Sequence, residues 1–138
     1  MSNEMQIFNP AADMETSGQA AFMSFTCETQ EEKVKAYNAM NTTDTRLKEC
    51  INMEIPLVDV MIVPTQVTNR ESGEVQDVPR IILFDANGNT YGATSWGVYY
   101  AISRVMQVFG TLHFDEPITV IPYEAKTKNG FTLSLRIK

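Results

Sequence analysis

Histidine occurs once, at His113, cysteine twice, at Cys27 and Cys50, and tryptophan once, at Trp96. A single imidazole excludes histidine-rich metal sites and paired-histidine catalysis. The two thiols also stand outside any CxxC spacing and read as reduced cysteines of a cytoplasmic protein. No apolar run approaches the roughly 20 residues of a membrane span, and the start of the chain lacks the basic and apolar stretches of a secretion signal. The phosphate-cradling GxxxxGK[ST], the dinucleotide-binding GxGxxG and the nucleophile elbow GxSxG are all missing. Asp115-Glu116, before Pro117, reads as a solvated loop, and Asp59, inside an apolar stretch, as a β-bulge or a barrel edge. The expectation is a protein that is not an enzyme and needs no cofactor or metal.

Positive charge is missing from the first 31 residues, which carry Glu4, Asp13, Glu15, Glu28 and Glu31. Removing those five from the 17 acidic residues leaves 12 against 11 bases, so the formal charge of −6 lies mostly at the N-terminal end. Net charge governs solubility and non-specific attraction, whereas a local stripe decides binding. A nucleic-acid ligand would then be held by stacking as much as by phosphate contacts.

What is present divides into three parts. Residues 1–19 are polar and aperiodic and read as a mobile acidic tail. Residues 20–51 read as a strand–helix extension: a strand over 20–27, then a helix from Gln30 to about Met40. Thr29 and Glu32 stand at the spacing of a capping box, and Val34, Tyr37 and Met40 form the expected apolar stripe. Residues 52–138 read as a β-rich domain, with strands over 53–69, 75–85, 90–94, 118–126 and 131–138. A helix after Ser95, with Val98, Ile102, Val105, Met106 and Phe109 on one side, ends at Gly110. The 43% hydrophobic content suffices for one core. Phe22, Phe25, Tyr37, Phe109 and Phe131 are expected in it, and the last strand should turn Phe131, Leu133, Leu135 and Ile137 inward.

The order strand, strand, strand, helix, strand, strand is that of a five-stranded OB-like barrel with its helix between strands 3 and 4. The fold class is mainly β (α+β). In that architecture the face of strands 2 and 3, with the loops joining strands 1–2 and 4–5, holds the ligand. Here those loops carry Arg70 and the pair Lys126 and Lys128. Asn87-Gly88 is a strong two-residue hairpin signal, pairing Phe84 with Tyr91 and Ile82 with Ala93. Arg80, Ile82, Phe84 and Tyr91 would then share one face, where two aromatics and a cation could stack bases and meet phosphates. Trp96, in the first turn of the helix, and Tyr123, near the Lys126 loop, are further candidate contacts. Tyr100 and Arg104 read as an ordinary solvated helix face.

The hairpin Phe84-Asp85-Ala86-Asn87-Gly88-Asn89-Thr90-Tyr91, Ser95 with its helix, and Lys128-Asn129-Gly130-Phe131 with Leu133-Ser134-Leu135 carry a resemblance. Over roughly residues 52–138 the chain resembles the small single-stranded-DNA-binding proteins of tailed phages and mobile elements of Gram-positive bacteria, including those of protein-primed phages. The resemblance implies an OB barrel that coats single strands during replication or recombination, without sequence preference or cofactor, in a bacterial cell or an infected host. It implies Tyr91 as the first stacking residue. The relatives carry tyrosines in the first hairpin, whereas the segment from Val63 to Val75 has none. The acidic N-terminus could then engage replication partners. Two rival readings use the same fold: a protein-interaction module, and an oligosaccharide-binding barrel with little salt dependence.

Overall fold

The computed structural model describes residues 21–138, so the acidic tail and its expected replication partners lie outside the described residues. Strand β1 (Phe22–Met23) leads to helix α1 (Gln30–Asn41), strand β2 (Thr45–Arg46) and a 3-10 turn (Leu47–Cys50). Long strands β3 (Ile55–Thr68) and β4 (Val75–Asp85) follow, then β5 (Thr90–Thr94), helix α2 (Trp96–Phe109), β6 (Ile118–Thr127) and β7 (Gly130–Ile137). The sheet runs β2-β5-β4-β3-β6-β7, with β1 on β3, and only the β2–β5 pair is parallel. It curls into a half-barrel, which fits an OB-like barrel.

Closure is where the architecture departs from a five-stranded cylinder. β2 and β7 are the two edges of the sheet, and α2 lies between β7 and β4. Ser95 Oγ caps α2 by accepting from Val98 N, and Gly110 ends it. The helix inserts Val98, Ile102 and Val105 among Ile55, Leu57, Val60, Ile62, Ile81, Leu83 and Val120, all fully or nearly buried. Each such side chain contributes about 1.5–3 kcal/mol on leaving water, so this concave face dominates the stability of the fold.

α1 lies on the opposite, outer face. Its capping box forms: Thr29 Oγ1 accepts from Glu32 N, and Glu32 Oε1 accepts from Thr29 N. The expected stripe does not face the sheet. Val34, Tyr37 and Met40 are exposed, and the helix packs through Ala36 and Ala39 against Met61, Ile82 and Phe84. Small residues let the helix axis approach a sheet face already occupied by a phenyl ring. Phe109 and Phe131, also expected in the core, are exposed as well. Phe131 pairs with Lys126 at the hairpin tip, and Ile137 stands at the far end of β7, so only the middle of that strand is covered.

The β4–β5 hairpin corrects a second expectation. Its register is Leu83↔Tyr91, Phe84↔Thr90 and Ile82↔Gly92, one residue away from a two-residue loop. The loop has three residues, Ala86-Asn87-Gly88, with Gly88 at φ 87° and Gly88 N donating to the Asp85 carbonyl. That is the geometry of a turn followed by a left-handed glycine. A one-residue shift moves every side chain to the other face. Phe84 therefore lies outside, under α1, and Tyr91 inside, against the main core.

The buried Asp85 carboxylate holds this register. Oδ1 accepts from Asn87 N at 2.9 Å and Asn89 N at 2.8 Å, and Oδ2 accepts from Tyr91 Oη at 2.8 Å. Burial pushes this carboxyl up, but the hydrogen bonds from Tyr91, Asn89 and Asn87 outweigh it and hold it below the ordinary range. The same burial, with the bond to Asp85, pushes the Tyr91 hydroxyl up to about 12. Hydrogen bonds to a buried charge are worth about 1.5–3 kcal/mol each when their partners are left stranded. Asp85→Ala should therefore lower unfolding free energy by about 3 kcal/mol and Tyr91→Phe by about 1, read as midpoint shifts at constant m in guanidinium. An Asp85→Ala midpoint equal to wild type would remove Asp85 as the determinant of the register.

Candidate nucleic-acid interface

The 3-10 turn, the linker after α1 and the outer edge of β4–β5 converge on one groove. It has a volume of about 620 Å³ and is lined by Arg46, Lys48 and Arg80 with Asn41, Thr42, Thr43, Thr94 and Ser95. No carboxylate among the described residues lines it. Among the described residues none of the three cations has an ion-pair partner within 4.0 Å. β2 exists because Thr45 and Arg46 pair in parallel with Tyr91 and Gly92, and this pairing brings Arg46 alongside Arg80. A methyl on Gly92 would stand 2.7 Å from Thr43 Oγ1 and 3.1 Å from Arg80 Nη2, so the guanidinium lies across a bare backbone. Unneutralised cations among hydroxyls suit a phosphodiester: the cations take its charge, and the hydroxyls can donate to its oxygens.

A second groove, of about 450 Å³, meets the first at Thr42. It runs between α1 and the hairpin tip and contains Lys35, but Asp44 and Asp85 line it too. Two carboxylates repel phosphate, so this groove suits an anion less well than the first.

The expected contacts distribute unevenly around these grooves. Arg80 lines the basic groove, and Trp96 follows its rim residue Ser95. Arg70 and Lys128 are exposed in the loops where they were expected, Lys126 is exposed near the end of β6 and not in the loop, and all three stand outside the groove lining. Tyr123 is half-buried on β6, opposite Ser134. Phe84 is only 4% exposed: Phe25 packs edge-on at 5.2 Å, and Lys35 Nζ stands 4.8 Å from its centroid. Tyr91 packs on the core and donates its hydroxyl to Asp85. The shared aromatic face is thus split, and helix α1 occupies its outer half.

Arg46 and Lys48 escaped the sequence reading. They sit between the expected helix and the first long strand, and no local pattern tells that β2 will dock on β5 from 46 positions away. The signal available was compositional: Arg46 and Lys48 flank Leu47, which is fully buried and so orients the segment.

α1 is held over Phe84 from its side. Lys35 Nζ stands 4.3 Å from the Phe25 centroid and 3.9 Å from Asp59 Oδ2. Asp59 sits at the β-bulge of β3, as its sequence context suggested, where the register with β4 shifts after Leu57. Its Oδ1 accepts from Ser24 Oγ at 2.8 Å and pairs with His113 Nδ1 at 2.7 Å, so one carboxylate ties α1, the β1 segment and the α2–β6 loop to β3.

The fold is thus a curled OB-like half-barrel that carries a basic groove on its flank. The chain belongs to the family of phage single-stranded DNA-binding proteins: the model of the family described as "Phage Single-stranded DNA-binding protein" matches residues 15–138. That match takes in α1 and β2 as well as the barrel strands, and so includes the elements that build the groove. No curated protein and no solved structure matches the chain. No helix among the described residues is long and apolar enough to cross a membrane.

The hydrogen bond to Asp59, partly opposed by burial, raises His113 above its ordinary value, with further help from Asp115. A group whose folded value lies above the unfolded 6.5 stabilises the fold below that pH, and the contribution disappears as pH rises through the folded value. Stability should therefore fall in wild type as pH rises from about 6.5 through the folded value. In His113→Gln the denaturation midpoint should be flat across that window, and an unchanged slope in the variant would count against the Asp59–His113 link.

Proposed function

We propose that the protein binds single-stranded DNA without sequence preference and covers strands exposed during replication or recombination, in a bacterial cytoplasm and without enzymatic activity or a cofactor. The observation that carries this reading is the groove of Arg46, Lys48 and Arg80, with no carboxylate among the described residues of its lining, in a member of a single-stranded-DNA-binding family. Backbone phosphates lie against these cations. Hydroxyls of Thr42, Thr43 and Ser95 set the register, and bases turn outward, where nothing reads their hydrogen-bonding edges. Arg70, Lys126 and Lys128 serve as outlying electrostatic contacts. Phe84 can reach a base only if α1 moves, and Tyr91 supports the hairpin that presents Arg80.

A protein-interaction reading has one observation in its favour: Val34, Tyr37 and Met40 face solvent along α1. The two readings separate by salt. For a single strand, log K falls with log salt at a slope of about −0.7 per phosphate neutralised, so three groove cations predict a slope near −2. Titration of oligo-dT at several salt concentrations should show a slope at least that steep. Arg46→Ala or Arg80→Ala should each bind about tenfold more weakly, equivalent to about 1.4 kcal/mol, with the slope reduced by about 0.7. Wild-type chain that fails to bind oligo-dT at low salt would favour the protein-interaction reading.

A further inference from the structure

The basic groove does not end at Ser95. Its lining includes Leu133 of β7, and from there a seam continues between β7 and α2. The two elements touch closely at the seam's start, where a methyl on Gly97 would overlap the Leu133 carbonyl oxygen and the Thr132 hydroxyl. Farther along, the seam opens into a cleft of about 310 Å³, whose walls include Ala101 and Leu135 and whose rim carries Arg104 and Arg136. Both arginines are exposed, and neither has an ion-pair partner among the described residues.

An aromatic pair stands beside the seam. Helix positions advance about 100° per residue, so Gly97, Ala101, Arg104 and Val108 share the side of α2 that meets β7, and Tyr100 falls on the solvent edge of that side, next to Arg104. Tyr100 is 54% exposed. Its ring stacks on Trp96 at 5.8 Å with 29° between planes, and Tyr99 stands 5.4 Å from both. The ring is thereby held with one flank against aromatic neighbours while more than half of the residue faces water. A base stacking there would meet a surface whose rotamer freedom is already lost.

We infer that a single strand leaves the basic groove at Ser95 and follows the α2–β7 seam, with a base stacked on Tyr100 and the next phosphates held by Arg104 and Arg136. This deepens the single-strand reading and rests on it. It also places the strand away from the outer face of β4, where α1 covers Phe84. From Ser95 to Arg104 the helix rises about 14 Å, room for a few nucleotides beyond the groove itself. Cations thus stand at both ends of an exposed aromatic, the alternation that a strand needs when phosphates and bases are bound by different side chains.

The test uses the full chain and a labelled oligo-dT of about 15 nucleotides, long enough to span groove and seam. Tyr100→Ala should bind about tenfold more weakly. The double variant Arg104→Gln with Arg136→Gln should lower the salt slope by about 1.4, two phosphates' share. Both should keep the wild-type melting curve, because all three residues are exposed. If these variants match wild type in affinity and slope while Arg46→Ala binds more weakly, the strand stops at the groove and the seam path is overturned with the single-strand reading intact. If wild type itself ignores oligo-dT, both fall together.

Discussion

The Asp85 carboxylate decides which side of the sheet each residue of the central hairpin occupies. It is buried, it collects backbone donors from Asn87 and Asn89 and the hydroxyl of Tyr91, and these bonds fit only a three-residue loop. Side chains alternate along a strand, so the identity of the loop sets the face of everything from Arg80 to Thr94. Tyr91 goes inward to brace the carboxylate that fixed its own position. Phe84 goes outward, with Ile82 and Arg80. A single buried anion thus separates two aromatics that a shorter loop would have placed together.

The outer face created in this way is not left open. Two alanines let α1 settle on Ile82 and Phe84, while Lys35 spans from the aromatic rings to Asp59. Few large side chains anchor this helix. Most of its own apolar bulk faces solvent, and a lone carboxylate at the β3 bulge gathers its lateral tie with those of Ser24 and His113. Where α1 ends, its linker, β2 and the 3-10 turn carry Thr42, Thr43, Arg46 and Lys48 to the edge of β5. The extension therefore does two things: it covers one candidate surface and supplies most of the charge for another.

Much of the barrel could be read from local pattern. The β4 and β5 spans, the Ser95 cap and the Gly110 stop follow from propensities and turn chemistry that act over a few residues, and the long strands announce themselves by their β-branched runs. Three things were not legible. The hairpin register depended on Asp85, whose capture of three donors outweighs the preference of Asn-Gly for a two-residue loop. The burial of α1 through Ala36 and Ala39 depended on a phenyl ring contributed from 45 or more positions away. The groove itself depended on a two-residue strand whose partner, β5, is equally distant. Of the candidate contacts, Arg80 and Trp96 lie at or beside the groove, because both are tied to the hairpin and helix cap that local signals define well. The register moves Tyr91 to the inner face, while Phe84 keeps the face expected for it and is covered by α1.

The proposed path puts bound DNA along the basic groove and the α2–β7 seam, not on the outer face of β4. Ultraviolet crosslinking of oligo-dT to the full chain, with adducts assigned to single residues by mass-spectrometric fragmentation, tests it most directly. Adducts are expected at Trp96 and Tyr100 and none at Phe25 or Phe84. Adducts concentrated on Phe84, with Trp96 and Tyr100 unmodified, would mean that α1 gives way to the strand and that the outer face is the binding surface after all.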